Sequence, residues 1–79
     1  MRGADLQNAD MSFAGLQHAD LRRANLKRAR LFWANLTDAD LHRVDLRFAN
    51  LYAAKVNNTQ LATAMSLKDA ILPDGTKHE

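Results

Sequence analysis

The chain lacks cysteine, so neither a disulfide nor a thiolate metal site can support its fold. One proline and three glycines are too few for a loop-rich or collagen-like chain. No apolar run approaches the roughly 18 residues of a membrane helix, and no signal peptide is evident because charged residues begin at Arg2. With 79 residues and a net charge of +2, we expect one small domain without membrane insertion and favour the cytoplasm as its location.

What the sequence does contain is a repeat of five residues. An apolar residue recurs at every fifth position: Leu6, Met11, Leu16, Leu21, Leu26, Leu31, Leu36, Leu41, Leu46, Leu51, Val56 and Leu61. A small residue, usually Ala, stands two positions before each of them, from Ala4 to Thr59. Asp, Asn or Gly mostly lies between the two, and Arg30, Lys55 and Gln60 are the exceptions. Such Asp and Asn side chains can bond nearby backbone groups and stabilise turns.

A period of five fits neither regular secondary structure. On an α-helix the Leu series would scatter around the axis, and on a strand it would alternate between the two faces. A chain that turns by a right angle in each repeat instead directs every Leu and Ala to a common axis. Twenty residues then complete one turn, and neighbouring turns stack about 4.8 Å apart. The pattern predicts a four-sided coil and disfavours an Ala/Leu-rich helical bundle, which needs a different period.

The motif A-[D/N]-L-x-x, as in residues 19–23 and 34–38, resembles that of the pentapeptide-repeat family. The likeness covers about residues 4–64. It implies an all-β fold, a right-handed quadrilateral β-helix, here of about three coils. The resemblance implies little about function, because the family has many roles.

The repeat becomes irregular towards the C-terminus. After Val56 it decays, Met65 and Ser66 miss the pattern, and residues 70–72 resemble one more repeat shifted by one residue. Residues 73–76, Pro-Asp-Gly-Thr, are a strong turn signal. We therefore divide the chain into a β-helix over 1–64 and a C-terminal cap and tail over 65–79. The N-terminal coil has no comparable cap, so we expect either a terminal domain of a larger protein or an end that stacks on another copy.

Period twenty places the aromatic residues along one edge of the coil. Phe32 and Tyr52 share one column, Phe13 and Trp33 share the next, and Phe48 adjoins this corner from the preceding face. The candidate interface comprises Phe13, Phe32, Trp33, Phe48 and Tyr52. Two interpretations stay open. In one, the rings stack on one another and stabilise the coil; in the other, they form a patch for a partner or a second copy. Both can hold together.

Basic residues gather on two adjacent faces. The candidate anion-binding residues are Arg22, Arg23, Lys27, Arg28, Arg43 and Arg47. Acidic residues at the turn positions run beside them, and we expect Arg30 to pair with Asp10. Asp20 and Asp40 stack directly, a like-charge contact that Arg22 or Arg43 could relieve. The structural interpretation is a solvated, salt-bridged surface, and the functional interpretation is a site that binds an anionic partner.

The sequence offers no pattern for catalysis. His18, His42 and His78 share no ligand spacing, so we expect no metal site, and no cofactor motif is present. A filled axis leaves no ordinary pocket. We expect a non-enzymatic structural module that binds a protein partner or a second copy. The alternatives are a binder of an anionic partner or nucleic acid and, less favoured because the outward charges are basic, a DNA mimic that binds a topoisomerase.

Overall fold

The computed structural model describes residues 2–78, and its backbone is a coil with a period of twenty. Isolated parallel β-bridges join residues on successive turns, and seven of them span twenty residues: Asp5 to Asn25, Asp10 to Arg30, Gly15 to Asn35, Asp20 to Asp40, Asn25 to Asp45, Arg30 to Asn50 and Asn35 to Lys55. Within the described residues the coil is held by these single bridges, and the pairing does not extend into longer strands. The twenty-residue spacing of these bridges is the spacing expected of a chain that completes one turn in four five-residue repeats.

The repeats from Leu6 to Leu31 all make the same hydrogen bonds. In the repeat of Leu26, the Leu26 amide donates to the Asp45 carbonyl at 2.9 Å and the Arg28 amide donates to the Arg47 carbonyl at 2.9 Å. The next amide, that of Ala29, returns to the Leu26 carbonyl at 3.0 Å and closes the corner. Two bonds thus join this repeat to the following coil, and a third closes the turn within the repeat.

The second residue after each central apolar residue from Leu6 to Leu51 adopts a left-handed backbone conformation. Its φ lies between 57° and 63° at Asn8, Phe13, His18, Arg23, Arg28, Trp33, Asp38, Arg43, Phe48 and Ala53. Non-glycine residues rarely occupy this region, because the Cβ atom crowds the following carbonyl. The corners therefore hold local strain that the stacking of coils must offset. Sequence analysis did not predict this conformation, since no common residue type marks the position.

Asp and Asn side chains stabilise the corners as expected. Their Oδ1 atoms accept a hydrogen bond from the amide two residues later, at 3.0–3.3 Å. The residues that do so are Asp5, Asp10, Asp20, Asn25, Asn35, Asp40, Asp45 and Asn50. This bond occupies an amide that the turn would otherwise leave without a partner in the chain.

The axis of the coil is filled by the two apolar series. Every central Leu from Leu21 to Leu51 is at most 2% exposed, and the alanines of the second series from Ala24 to Ala49 are at most 4% exposed. Leu6 and Met11, at the N-terminal end, pack against this core but are only partly buried. Burial of one Leu side chain contributes about 1.5–3 kcal/mol, so the axial Leu column supplies much of the driving force for folding.

A short helix that the sequence analysis did not predict interrupts the coil. It is α1, Asn58–Ala62, and it begins with a capping box. The Asn57 side chain accepts from the Gln60 amide at 2.8 Å, and the Gln60 side chain accepts from the Asn57 amide at 3.0 Å. The pair Asn57 and Gln60, three residues apart, was the signal that could have revealed the helix.

The coil resumes after α1 with one extra residue. Asp45 pairs with Ser66 and Asn50 with Ile71, so the spacing is 21, which confirms the one-residue shift expected at residues 70–72. Ser66, which departs from the motif, still serves as a turn residue because its hydroxyl accepts from the Lys68 amide at 3.2 Å. Asp69 then adopts the left-handed conformation, with φ of 60°.

The last described residues fold back on the coil. The turn predicted over 73–76 is confirmed, since the Leu72 amide donates to the Thr76 carbonyl at 2.7 Å. Lys77 then pairs antiparallel with Ile71. Gly75 has a φ of 90°, a backbone conformation that favours glycine. A Cβ atom there would make ordinary contact with the Tyr52 ring at 3.5 Å.

Candidate interaction surfaces

Four aromatic rings form a continuous series on the surface, which we call the aromatic ladder: Phe13, Phe32, Trp33 and Tyr52. The rings of Phe13 and Trp33 are parallel within 7° at a centroid distance of 6.4 Å. Phe32 meets Phe13 edge-on at 6.0 Å, and Tyr52 meets Trp33 edge-on at 6.4 Å. These separations lie in the range preferred by interacting aromatic pairs. The four rings therefore contact one another, as the stacking interpretation requires.

Stacking leaves much of the ladder in contact with solvent. Phe13 is 70% exposed, Trp33 is 56% exposed and Tyr52 is 48% exposed, whereas Phe32 is partly buried. Phe13 and Trp33 both occupy the left-handed corner position, which points their rings away from the axis. The ladder is thus a rigid apolar strip on the outside of the coil.

Phe48 contacts an arginine side chain instead of the rings of the aromatic ladder. Its ring is covered by the guanidinium of Arg28, whose Cζ is 5.3 Å from the ring centroid. This cation–π contact joins one candidate interface residue to a candidate anion-binding residue that lies twenty positions earlier in the same column. The structure therefore brings four of the five predicted aromatic residues into mutual ring contact, and Phe48 has a separate partner.

Acidic neighbours engage two of the six candidate anion-binding residues. Arg22 donates from Nε and Nη2 to Asp20 at 2.9 and 2.8 Å, and its Nε lies 3.5 Å from Asp40. It therefore relieves the like-charge contact expected between Asp20 and Asp40. Arg47 is bonded in the same two-pronged manner to Asp45, through bonds of 3.0 and 2.7 Å.

These contacts shift the ionisation of the carboxyl groups. Hydrogen bonds from the Arg22 side chain and backbone lower the pKa of Asp20 well below its ordinary value. Hydrogen bonds from the side chain and backbone of His42 lower the pKa of Asp40. A hydrogen bond from the Arg47 side chain lowers the pKa of Asp45. Among residues 2–78, Asp45 is the one buried charged residue, at 7% exposed. The expected Arg30–Asp10 pair is also present, at 4.0 Å.

The remaining arginines of this region line a cleft of about 220 Å³, which we call the arginine cleft. Its walls are Arg2, Arg22, Arg23, His42 and Arg43. Within residues 2–78, no carboxylate oxygen lies within 4.0 Å of the Arg2, Arg23 or Arg43 side chain. Sequence analysis missed Arg2, although period twenty, extended backwards from Arg22, places it in the same column.

The histidines contact single carboxylates. His42 Nδ1 bonds Asp40, and His18 Nδ1 lies 3.9 Å from Asp38. Over the part of the chain that the structure describes, no three metal-ligating side chains come together. The same residues include no helix of the length and apolar character needed to cross a bilayer.

A coil of five-residue repeats with an apolar axis defines a class of solenoid protein, and the comparisons with known proteins agree. The family model described as "Pentapeptide repeats" matches eight copies over residues 1–28 and 29–64. The chain belongs to the pentapeptide-repeat family, whose fold is a right-handed β-helix and whose members are generally non-enzymatic protein-interaction modules.

One solved structure of the same family is similar over almost the whole chain. It is HetL from the cyanobacterium Nostoc sp. strain PCC 7120, a pentapeptide repeat protein involved in heterocyst differentiation regulation. The two share 36% sequence identity with a TM-score of 0.63, over 99% of this chain and 40% of HetL. The chain thus spans less than half the length of HetL. A comparison with curated protein sequences found no match.

Proposed function

We propose that this chain is a non-catalytic module that binds a protein partner through the aromatic ladder. The observation that carries the proposal is Trp33, which is fixed between Phe13 and Tyr52 and yet remains 56% exposed. Membership of a family of interaction modules, and the regulatory role of HetL, support the same reading. Its place as the terminal domain of a larger protein stays a prediction of the sequence.

The ladder has the properties of a binding hot spot. Trp and Tyr are enriched where interfaces gain most of their energy, and an exposed apolar patch on a small protein marks a contact site. The rings are held by their neighbours and by a left-handed backbone at Phe13 and Trp33, so little conformational entropy is lost on binding. Stacking between the rings does not require their outer faces to be exposed to solvent. The exposure of those faces is therefore better explained by binding of a partner.

We further propose that residues 65–79 close the C-terminal end of the coil. Leu67 and Leu72 pack against the core, and the Ile71–Lys77 bridge turns the chain back over it. The antiparallel return occupies backbone groups that a further coil would otherwise pair. Residue 79 lies outside the described residues.

Photocrosslinking in the native host tests the proposal. A photoreactive phenylalanine analogue at position 33 should yield one discrete crosslinked protein, which mass spectrometry identifies as a foreign protein or a second copy. His18 provides the matched control site, because it is exposed and has the same corner conformation, with φ of 61° against 62° at Trp33. Crosslinks of equal yield from both positions would refute the aromatic ladder as the contact surface.

Sedimentation and fluorescence of the purified chain separate the two kinds of partner. If a second copy binds the ladder, Trp33 emission shifts to the blue as the concentration rises, and Trp33→Ser gives a monomer. If the partner is a different protein, the chain sediments as a monomer at high concentration with unshifted emission.

A further inference from the structure

We propose that the arginine cleft binds a compact phosphate-bearing anion, with Arg2, Arg23 and Arg43 as its ligands. The cleft lies on a different side of the coil from the aromatic ladder, so this site is additional to the proposed protein-binding surface. The chemistry that the cleft would recognise is a phosphoryl group, or two linked phosphoryl groups, carried by a small molecule.

The first step of the argument is an uncompensated stack of like charge. Arg23 and Arg43 occupy the same corner on successive coils, where the Arg23 amide donates to the His42 carbonyl at 2.9 Å. Their backbones are therefore separated by the coil spacing of about 4.8 Å, and like charges placed opposite each other destabilise such a pair. An anion between or beside the two guanidinium groups would remove that repulsion.

The second step is that the acidic residues nearby are already occupied. Asp20 and Asp40 turn towards Arg22, and Asp40 also bonds His42. Arg22 is thereby neutralised within the protein, whereas Arg2, Arg23 and Arg43 have no carboxylate within 4.0 Å in residues 2–78. The cleft thus presents three exposed arginine side chains, of which Arg2 is near enough to Asp20 to help lower the pKa of that carboxyl group without a direct contact.

The third step is space. Gly3 precedes Arg23 in the same column, since the Gly3 amide donates to the Arg22 carbonyl at 2.8 Å. A Cβ atom at Gly3 would meet no atom within 4 Å, so the volume beside Arg23 is open. A bulky side chain at this corner, such as the Phe13 or Trp33 rings found on another face, would project into that volume. The cleft of about 220 Å³ is therefore accessible from outside.

The fourth step selects the ligand. Guanidinium groups bind phosphate oxygens through paired, charge-assisted hydrogen bonds. A nucleic acid duplex gains affinity from many phosphate contacts along an extended basic track. That track is interrupted here, because Arg22 and Arg47 are paired with Asp20 and Asp45. Three available arginines in one cleft favour a compact polyanion over a nucleic acid.

Isothermal titration with sodium pyrophosphate at neutral pH and physiological salt tests the site. We expect saturable binding at one site per chain, with weaker binding of inorganic phosphate. The double variant Arg23→Gln with Arg43→Gln should weaken pyrophosphate binding at least about tenfold. Gln is shorter than Arg but keeps an unbranched polar side chain at the same left-handed corner, so the coil should be preserved. Arg47→Gln is the matched control, because it removes an arginine that is paired with Asp45 on another face. This variant should bind pyrophosphate as the parent does.

Three results would overturn the proposal. They are no saturable binding by the parent chain, equal affinity of the parent and the double Gln variant, and tighter binding of a duplex DNA oligomer than of pyrophosphate. Urea unfolding confirms that each variant is folded. If the double Gln variant fails to fold, Arg2→Gln and the charge-retaining pair Arg23→Lys with Arg43→Lys make the same comparison, and unchanged affinity in both refutes the site. None of these results bears on crosslinking at Trp33.

Discussion

The Gln60 side chain donates a hydrogen bond of 3.0 Å to the carbonyl of Ala39, a group that a backbone amide would bond in a regular coil. In the earlier coils, the turn residue donates its own amide to the carbonyl 21 positions before it, as Arg30 does to Ala9 at 2.8 Å. The Gln60 amide is occupied by the Asn57 cap, so its Nε2 atom takes that role and also bonds the Leu36 carbonyl at 2.8 Å. One side chain thus joins α1 to the coil.

Replacement of Gln60 by Met tests this joint. Met preserves the length but removes the Nε2 donors, so the Ala39 carbonyl loses its partner and the Leu36 carbonyl keeps only the Ala39 amide. The capping box is broken as well, because the Gln60 side-chain acceptor is lost. We expect the free energy of unfolding to fall by about 1–3 kcal/mol in urea titration. Gln17→Met is the matched control, because Gln17 is exposed, and it should change the free energy by less than about 0.5 kcal/mol. Equal effects of the two variants would contradict the assigned role.

Burial of a charge on the axis tests the coil itself. Leu36 is 1% exposed at the centre of the Leu column, so Leu36→Lys places an unpaired ammonium where water cannot reach it. The cost exceeds what a domain of this size can absorb, and we expect loss of the cooperative thermal transition and of the circular dichroism of the coil. Gln17→Lys, on the surface of the same face, should melt as the parent does. A cooperative transition for Leu36→Lys would exclude the filled axis.

The parts of the structure that the sequence predicted are those that depend on spacing alone. The period of five fixes which residues point inward, and multiples of twenty fix which residues are neighbours on successive coils. The burial of Leu36, the Arg30–Asp10 pair and the contact of Arg22 with both Asp20 and Asp40 all follow from that arithmetic.

The parts that were missed depend on local conformation. The division of the arginines into paired and available groups depends on side-chain rotamers that the repeat does not specify. The left-handed corners carry residues as different as Trp33 and Ala53, so their sequence bears no mark. The helix α1 has a sequence signal in the capping pair Asn57 and Gln60, although the same residues also break the five-residue repeat.

The left-handed corners predict a stabilising substitution. Ala53 has a φ of 59°, and its Cβ atom has the steric conflict that glycine avoids. We expect Ala53→Gly to raise the free energy of unfolding by up to about 1 kcal/mol. The relief of the steric conflict should exceed the cost of the additional conformational entropy that a glycine loses on folding. Ala62→Gly, at an exposed position in α1, is the control and should instead lower stability by up to about 1 kcal/mol. A loss of stability at both positions would show that the corner is unstrained.

Acid should destabilise the protein through Asp45. Its carboxylate is nearly buried and bonded to Arg47, so its pKa in the folded chain lies below the ordinary value of 3.8. A carboxyl group with a lowered folded pKa contributes stability above pH 3.8, and that contribution is lost as the pH falls through the folded pKa. Asp45→Asn keeps the Oδ1 acceptor that Asn25 and Asn35 use at the same position, but it loses the charge. We therefore expect the variant to be less stable at neutral pH.

The pH dependence distinguishes this charge effect from damage to the turn. Urea unfolding of Asp45→Asn should vary less than that of the parent when the pH is lowered from neutral to below 3.8. Asp5→Asn is the matched control, since Asp5 is exposed and accepts from the Gln7 amide groups instead of an arginine. It should retain the acid dependence of the parent. If Asp45→Asn loses stability by the same amount at every pH, the interaction with Arg47 acts through geometry alone and the charge of Asp45 contributes nothing.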